Sequence, residues 1–280
     1  MHRLLVVVSG SVWLFTMIAA AAPRTLPLSQ RSIKTALFAT ADNCMACHNG
    51  LTTPAGEDVS IGIAWRATMM ANSSRDPYWQ ASVRREVMDH PAAAADIEDE
   101  CAVCHMPMSR TAAHASGAAG RVFAYLPAVA AGAAGKANVG DAESRLAMDG
   151  VSCALCHQIT AKNFGTAASF SGGYVIDTTV PLEKRPLFGP YAPERGLQAV
   201  MHSATGYVQV EGMHIRQSEM CATCHTLYTT ARGPDGRLLG RFPEQVPFQE
   251  WQHSRYRTEQ SCQSCHMPAI EPATPIASVR

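Results

Sequence analysis

Excess charge of either sign is missing from this chain. It holds 23 Lys and Arg against 23 Asp and Glu, so there is no basic footprint for nucleic acid. After the amino-terminal segment there is no apolar run near the roughly 20 residues that span a bilayer. Aromatic residues are sparse, with 4 Trp and 8 Phe in 280 residues, which argues against an ordinary large packed core. No run of alternating apolar and polar residues marks a series of strands. Above all, no cysteine stands outside one short pattern, so none is left over for another role.

That pattern is Cys-x-x-Cys-His, and its five copies absorb all 10 cysteines. They are Cys44, Cys47 and His48; Cys101, Cys104 and His105; Cys153, Cys156 and His157; Cys221, Cys224 and His225; and Cys262, Cys265 and His266. Two cysteines at this spacing can each form a thioether to a vinyl group of one haem. The adjoining imidazole then lies where it binds the iron from the proximal side. A single Cys-x-x-Cys also reads as half a zinc site or as a thioredoxin-like redox pair. Neither reading, nor a disulfide scaffold, explains a histidine after the second cysteine in every copy. The sequence therefore predicts five covalently attached haem c groups.

The amino terminus places this chemistry outside the cytoplasm. Arg3 is followed by an uncharged run from Leu4 to Ala22 that closes in four alanines. This is the order of a signal peptide, expected over residues 1–21, leaving 22–280 as the mature pentahaem domain. An uncleaved membrane anchor is the alternative, and only in that case would the protein be held at a membrane. The expected location is the periplasm, with the cell surface or the medium as variants.

About 259 mature residues fit one domain and leave only about 52 per haem. So little chain cannot wrap each macrocycle in its own core, so the expected fold is mainly α with extensive loops, the haems forming much of the interior. Five ferric haems with ionised propionates would carry the nearly neutral chain to about −6, favouring partners of complementary charge.

Successive first cysteines lie 57, 52, 68 and 41 residues apart, too irregular for a solenoid. An echo links Trp79-Gln80-Ala81-Ser82 and Cys104-His105-Met106-Pro107 to Trp251-Gln252-His253-Ser254 and Cys265-His266-Met267-Pro268. Helices are predicted over 78–88, ending before Pro91, and over 97–104 and 250–263. The acidic run Asp96, Glu98, Asp99 and Glu100 reads as a solvated helix start. A flexible Ala/Gly-rich loop is expected over about 115–141, between the second and third motifs, and an irregular connection over 178–195.

Five histidines remain after the motifs and His2: His90, His114, His202, His214 and His253. Their number matches the five irons, making each a candidate distal ligand. The bland alternative is that some are surface or core histidines. Met69 and Met70 are competing thioether ligands, which would raise a haem potential.

The chain resembles the bacterial multihaem c-type cytochromes related to the tetrahaem electron carriers of nitrogen-compound oxidation. The resemblance rests on Trp251-x-x-Ser254 before Cys262-x-x-Cys265-His266-Met267-Pro268, on Asp149-Gly150-Val151-Ser152-Cys153-x-x-Cys156-His157, and on the segment from Trp65 to Pro77. It implies a periplasmic or surface-exposed carrier with closely stacked haems, passing electrons between periplasmic or membrane-bound redox proteins. Two further readings stay open. One is a haem enzyme with an open iron acting on a small nitrogen or sulfur compound, although no motif has the Cys-x-x-Cys-Lys form. The other is a subunit of an extracellular haem filament.

Overall fold

The computed structural model describes residues 37–126 and 141–278. The expected signal segment and residues 127–140 of the Ala/Gly-rich stretch lie outside this range. Twelve α-helices against two two-stranded sheets make the described chain mainly α, as expected. Among the described residues no helix is long and apolar enough to cross a membrane.

Helix α1 (Ala41–Met45) opens the described chain, followed by the short α2 (Ile61–Arg66) and α3 (Met69–Asn72). Helix α4 (Pro77–Asp89) starts where the Asp76 carboxylate accepts the Tyr78 N–H and Pro77 fills the first turn. It stops at His90 (φ −127°, ψ 60°), because Pro91 disfavours the α conformation in the residue before it. Helix α5 (Ala94–His105) ends likewise at Met106 (φ −130°, ψ 50°), ahead of Pro107, where α6 (Pro107–Ala115) begins. Helices α7 (Ala142–Met148) and α8 (Cys153–Cys156) follow.

Strand β1 (Pro186–Gly189) pairs in parallel with β2 (Val208–Glu211) across α9 (Arg195–Thr205), whose last turn is closed by Gly206 at φ 79°. After α10 (Ser218–Ala222), β3 (Leu227–Arg232) and β4 (Leu238–Gln245) form an antiparallel hairpin over the turn Gly233-Pro234-Asp235-Gly236. All of β4 is exposed. Its Pro243 and Gly240 are tolerated because one edge of the strand is unpaired, and its lack of burial removes the alternation by which a strand is recognised.

The helix expected over 250–263 is broken. Helix α11 (Pro247–Gln252) ends, a 3-10 turn covers Arg255–Thr258, and α12 (Cys262–His266) starts afresh. Ser254 and Ser261 cause the breaks, their hydroxyls capping the N–H groups of Tyr256 and Ser264. Residues 178–195, expected to be irregular, include β1.

The apolar interior is divided. One cluster joins Trp79, Val83 and Ile97 to Met106, Val122 and Leu126; a second gathers Phe38, Met108, Leu155 and Ile159; a third holds Leu182, Leu187 and Tyr207. Val122 and Leu126 are fully buried, so the described start of the stretch expected to be a loop is packed. Glu98 accepts the N–H groups of Val122 and Phe123, and Asp99 that of Gly120. Asp96 is an exposed acid in the first turn of α5, as expected of a solvated helix start, whereas Glu98 and Asp99 clamp this segment.

Candidate functional site

Each Cys-x-x-Cys-His folds as a turn of helix. The main-chain N–H of His48, His157 and His225 donates to the carbonyl of its first cysteine at 3.0, 3.0 and 2.9 Å. His105 and His266 are the last residues of α5 and α12. Spacings of three and four residues put both sulfurs and the imidazole on one helical face.

The surroundings of three motif histidines fix their tautomer. Nδ1 of His48 lies 2.6 Å from the Ile276 carbonyl, that of His105 3.0 Å from the Ser73 carbonyl, and that of His157 2.6 Å from the Phe188 carbonyl. A carbonyl only accepts, so Nδ1 carries the hydrogen and, in the neutral ring, Nε2 keeps its lone pair for a metal. Burial pushes His105, His157 and His225 below their ordinary value, which keeps these rings neutral near pH 7. Trp79 stacks on His105 with ring centroids 4.3 Å apart and planes within 5°. Its counterpart in the sequence echo, Trp251, stacks on Phe248 instead. The Cys-His-Met-Pro half of the echo is structural: Met267 ends its helix at φ −138°, ψ 60°, as Met106 does.

None of the ten cysteines is paired in a disulfide, and cysteines of different motifs lie close to one another. The side chain of Cys44 neighbours that of Cys153, Cys104 that of Cys224, and Cys221 that of Cys262. Cys156 lies within electrostatic range of Cys221 and Cys224. Burial pushes Cys101, Cys156 and Cys221 up to about 12, so these thiols stay protonated at neutral pH. Among the described residues no group of three or more His, Cys, Asp or Glu converges on a bare metal ion, so no four-ligand zinc cage is formed.

Local structure brings the motifs together. Asp149 accepts the Ala41 N–H at 2.8 Å, tying the approach to the third motif to the helix of the first. Val151 donates to the Met70 carbonyl at 2.9 Å and accepts from the Trp65 indole at 3.0 Å. Gly150, at φ 65°, sits so close to α3 that a Cβ would lie 2.7 Å from the Met70 carbonyl oxygen. Between the second and fourth motifs, Gly172 donates to the Thr223 carbonyl while Tyr174 donates to that of Val103.

A cavity of about 630 Å³ opens at the second motif. Cys101, Cys104 and His105 line it with His90 and Trp79 of the α4 segment, and β3 and β4 form a wall. Its size falls within the range of about 300–1,000 Å³ for cofactor sites.

Four of the five remaining histidines divide by the ring nitrogen they have engaged. His90 directs Nδ1 to the Gly233 carbonyl at 3.0 Å, its Nε2 lying 4.0 Å from the Glu86 carboxylate, and His202 directs Nδ1 to the Tyr207 carbonyl at 3.0 Å; in both, Nε2 is the nitrogen left for a ligand. His214 uses Nε2, 2.8 Å from the Ile159 carbonyl, and packs edge-on against Phe164 and Phe188. His114 uses Nε2 on Asp99 at 2.7 Å. His253 is exposed just beyond α11, and Met69 and Met70 are 66% and 37% exposed. Burial acts to raise Asp99, but hydrogen bonds from Arg110, His114 and the Gly120 N–H outweigh it and hold the carboxyl at about 2.

Sequence reasoning missed the carbonyls of Ser73, Phe188 and Ile276 that orient the motif histidines, since main-chain groups leave no residue signature. The β3–β4 wall was also missed, though Gly-Pro-Asp-Gly was its turn signal.

No protein-family model, curated protein or solved structure matches the chain.

Proposed function

We propose that the chain is an exported pentahaem c-type cytochrome that transfers electrons between periplasmic or membrane-bound redox partners. In this reading it is akin to the multihaem carriers it resembles in sequence. The observation that carries the reading is the joint geometry of the motifs. Five helical turns each place two sulfurs and an imidazole on one face, and three of those imidazoles have Nδ1 committed to a carbonyl.

The ten motif cysteines would hold haem c by thioethers, with His48, His105, His157, His225 and His266 as proximal ligands. When bound, haem c supplies a one-electron ferric/ferrous couple at each motif. The chain's residues contribute position and environment. Carbonyl bonds on Nδ1 orient the imidazoles and raise their basicity. Neighbouring cysteine side chains support a first motif beside the third, and a fourth beside the second, third and fifth. This contiguity is what a conducting series needs, and the cavity of about 630 Å³ at the second motif offers room for one macrocycle.

At the second motif, His90 is the best-placed distal ligand, because it shares a cavity with Cys101, Cys104 and His105. His202 is next by tautomer. A second reading, a haem enzyme, finds its footing in the same cavity, which Glu86, Glu100, Arg232 and Glu244 also line. If His90 stands off the iron, that is where a small substrate would enter.

Spectra near pH 7 separate the two. A carrier has six-coordinate, low-spin iron throughout, lacks a high-spin ferric resonance and takes up little carbon monoxide when reduced. One fully high-spin haem that binds nitrite or hydroxylamine would replace the carrier with the enzyme.

A further inference from the structure

We infer that residues 274–278 form a strap that positions His48 and thereby sets the redox equilibrium of the first haem alone. This rests on the proposed cytochrome reading. The Ile276 carbonyl accepts from His48 Nδ1 at 2.6 Å across 228 residues of sequence. Two residues on, Ser278 locks the strap in register: its N–H donates to the Cys47 carbonyl at 2.7 Å, and its hydroxyl to the Asn49 carbonyl at 2.9 Å. A cleft of about 300 Å³ lies between Thr274–Ser278 and Gly50–Thr52. The strap is thus held by hydrogen bonds on the motif more than by packing.

The other two carbonyls of this kind are built into the fold. Phe188 lies in β1, and Ser73 follows α3, where its hydroxyl also donates to the His105 carbonyl. Of these three motifs, the first alone takes its orienting carbonyl from a segment near the far end of the described chain. A carbonyl on Nδ1–H makes the imidazole a stronger donor and favours ferric iron, so removing it raises the potential of that haem.

The test compares the full chain with a chain stopped after Ala273 and with Ser278→Pro, which removes both Ser278 donors but keeps every other residue. Haem additions are counted by mass spectrometry and potentials measured by spectroelectrochemical titration. The expected result is five haems in each protein, with one potential raised in the shortened chain. Its equilibrium should shift about tenfold toward ferrous iron, equivalent to about 59 mV for one electron. The same component should move less in Ser278→Pro, and the other four should stay in place. Loss of the haem at Cys44 and Cys47 alone from the shortened chain would itself report the hold on His48. Five haems with unmoved potentials in both variants would overturn the inference. So would several potentials moving together, or several haems lost from both. Fewer than five haems in the unaltered protein would instead count against the cytochrome reading itself.

Discussion

Gly150→Ala tests how the third motif is fastened to the rest of the chain. Gly150 has φ 65°, where a β-carbon costs about 1–2 kcal/mol. The added carbon would also lie 2.7 Å from the Met70 carbonyl oxygen, 2.9 Å from that of Ala71 and 3.0 Å from the Ser73 hydroxyl. Two of these are main-chain atoms that cannot rotate away. The Met70 carbonyl holds the Val151 N–H at 2.9 Å, a bond worth about 0.5–1.5 kcal/mol, and overpacking adds about 1–3 kcal/mol. The control is Gly56→Ala, where φ is 85° and nothing lies within 4 Å of the new carbon. The two variants share the conformational cost, so Gly150→Ala should be the less stable by about 2–4 kcal/mol. At about 2–4 °C per kcal/mol for a chain of this size, it should melt roughly 5–15 °C below Gly56→Ala. The assay is thermal unfolding of both holoproteins followed by far-ultraviolet circular dichroism at one scan rate. Equal melting temperatures would refute the claim that Gly150 is required for close approach.

Asp99→Asn should lower stability at pH 7 by about 1–2 kcal/mol, the shift to about 2 being discounted for partial exposure. Because the folded carboxyl lies below its unfolded value, that advantage is full above about pH 4 and fades as pH falls toward 2; denaturant titrations of both proteins should converge there. A constant gap down to pH 2 would show that the charge is not responsible. His157→Ala should sharply reduce haem content and the yield of folded protein, and a normal spectrum and melting curve would show the residue to be dispensable. His90→Ala should create a high-spin signal that His114→Ala does not, because His90 faces the second motif while His114 is engaged by Asp99. Identical spectra for the two would remove His90 from the ligand set.

The candidate site was legible in the sequence because its chemistry is local. Cys-x-x-Cys-His states its own spacing, and a helical turn converts that spacing into one face. The stop at His90 was equally legible, since it precedes a proline whose ring restricts the residue before it. The stops at Met106 and Met267 share that cause, but the helices expected over 97–104 and 250–263 ended short of them. What was hidden depends on groups without identity in the sequence. The carbonyls of Ser73, Phe188 and Ile276 belong to residues of no shared type, and only the fold brings them to an imidazole. Numerical matching placed His214 and His114 in the candidate set beside His90 and His202, because composition cannot say which ring nitrogen is already bonded. Strand β4 escaped notice because an exposed strand carrying Gly240 and Pro243 has no burial pattern to read. The break after α11 turned on two serine hydroxyls that compete locally for backbone N–H groups.

Mass spectrometry of the mature holoprotein, intact and after proteolysis, tests the central claim most directly. The account predicts five haem additions, one on each of the pairs Cys44/Cys47, Cys101/Cys104, Cys153/Cys156, Cys221/Cys224 and Cys262/Cys265, with no free thiol remaining. Four or fewer additions, a disulfide at any pair, or thiols open to alkylation would contradict it.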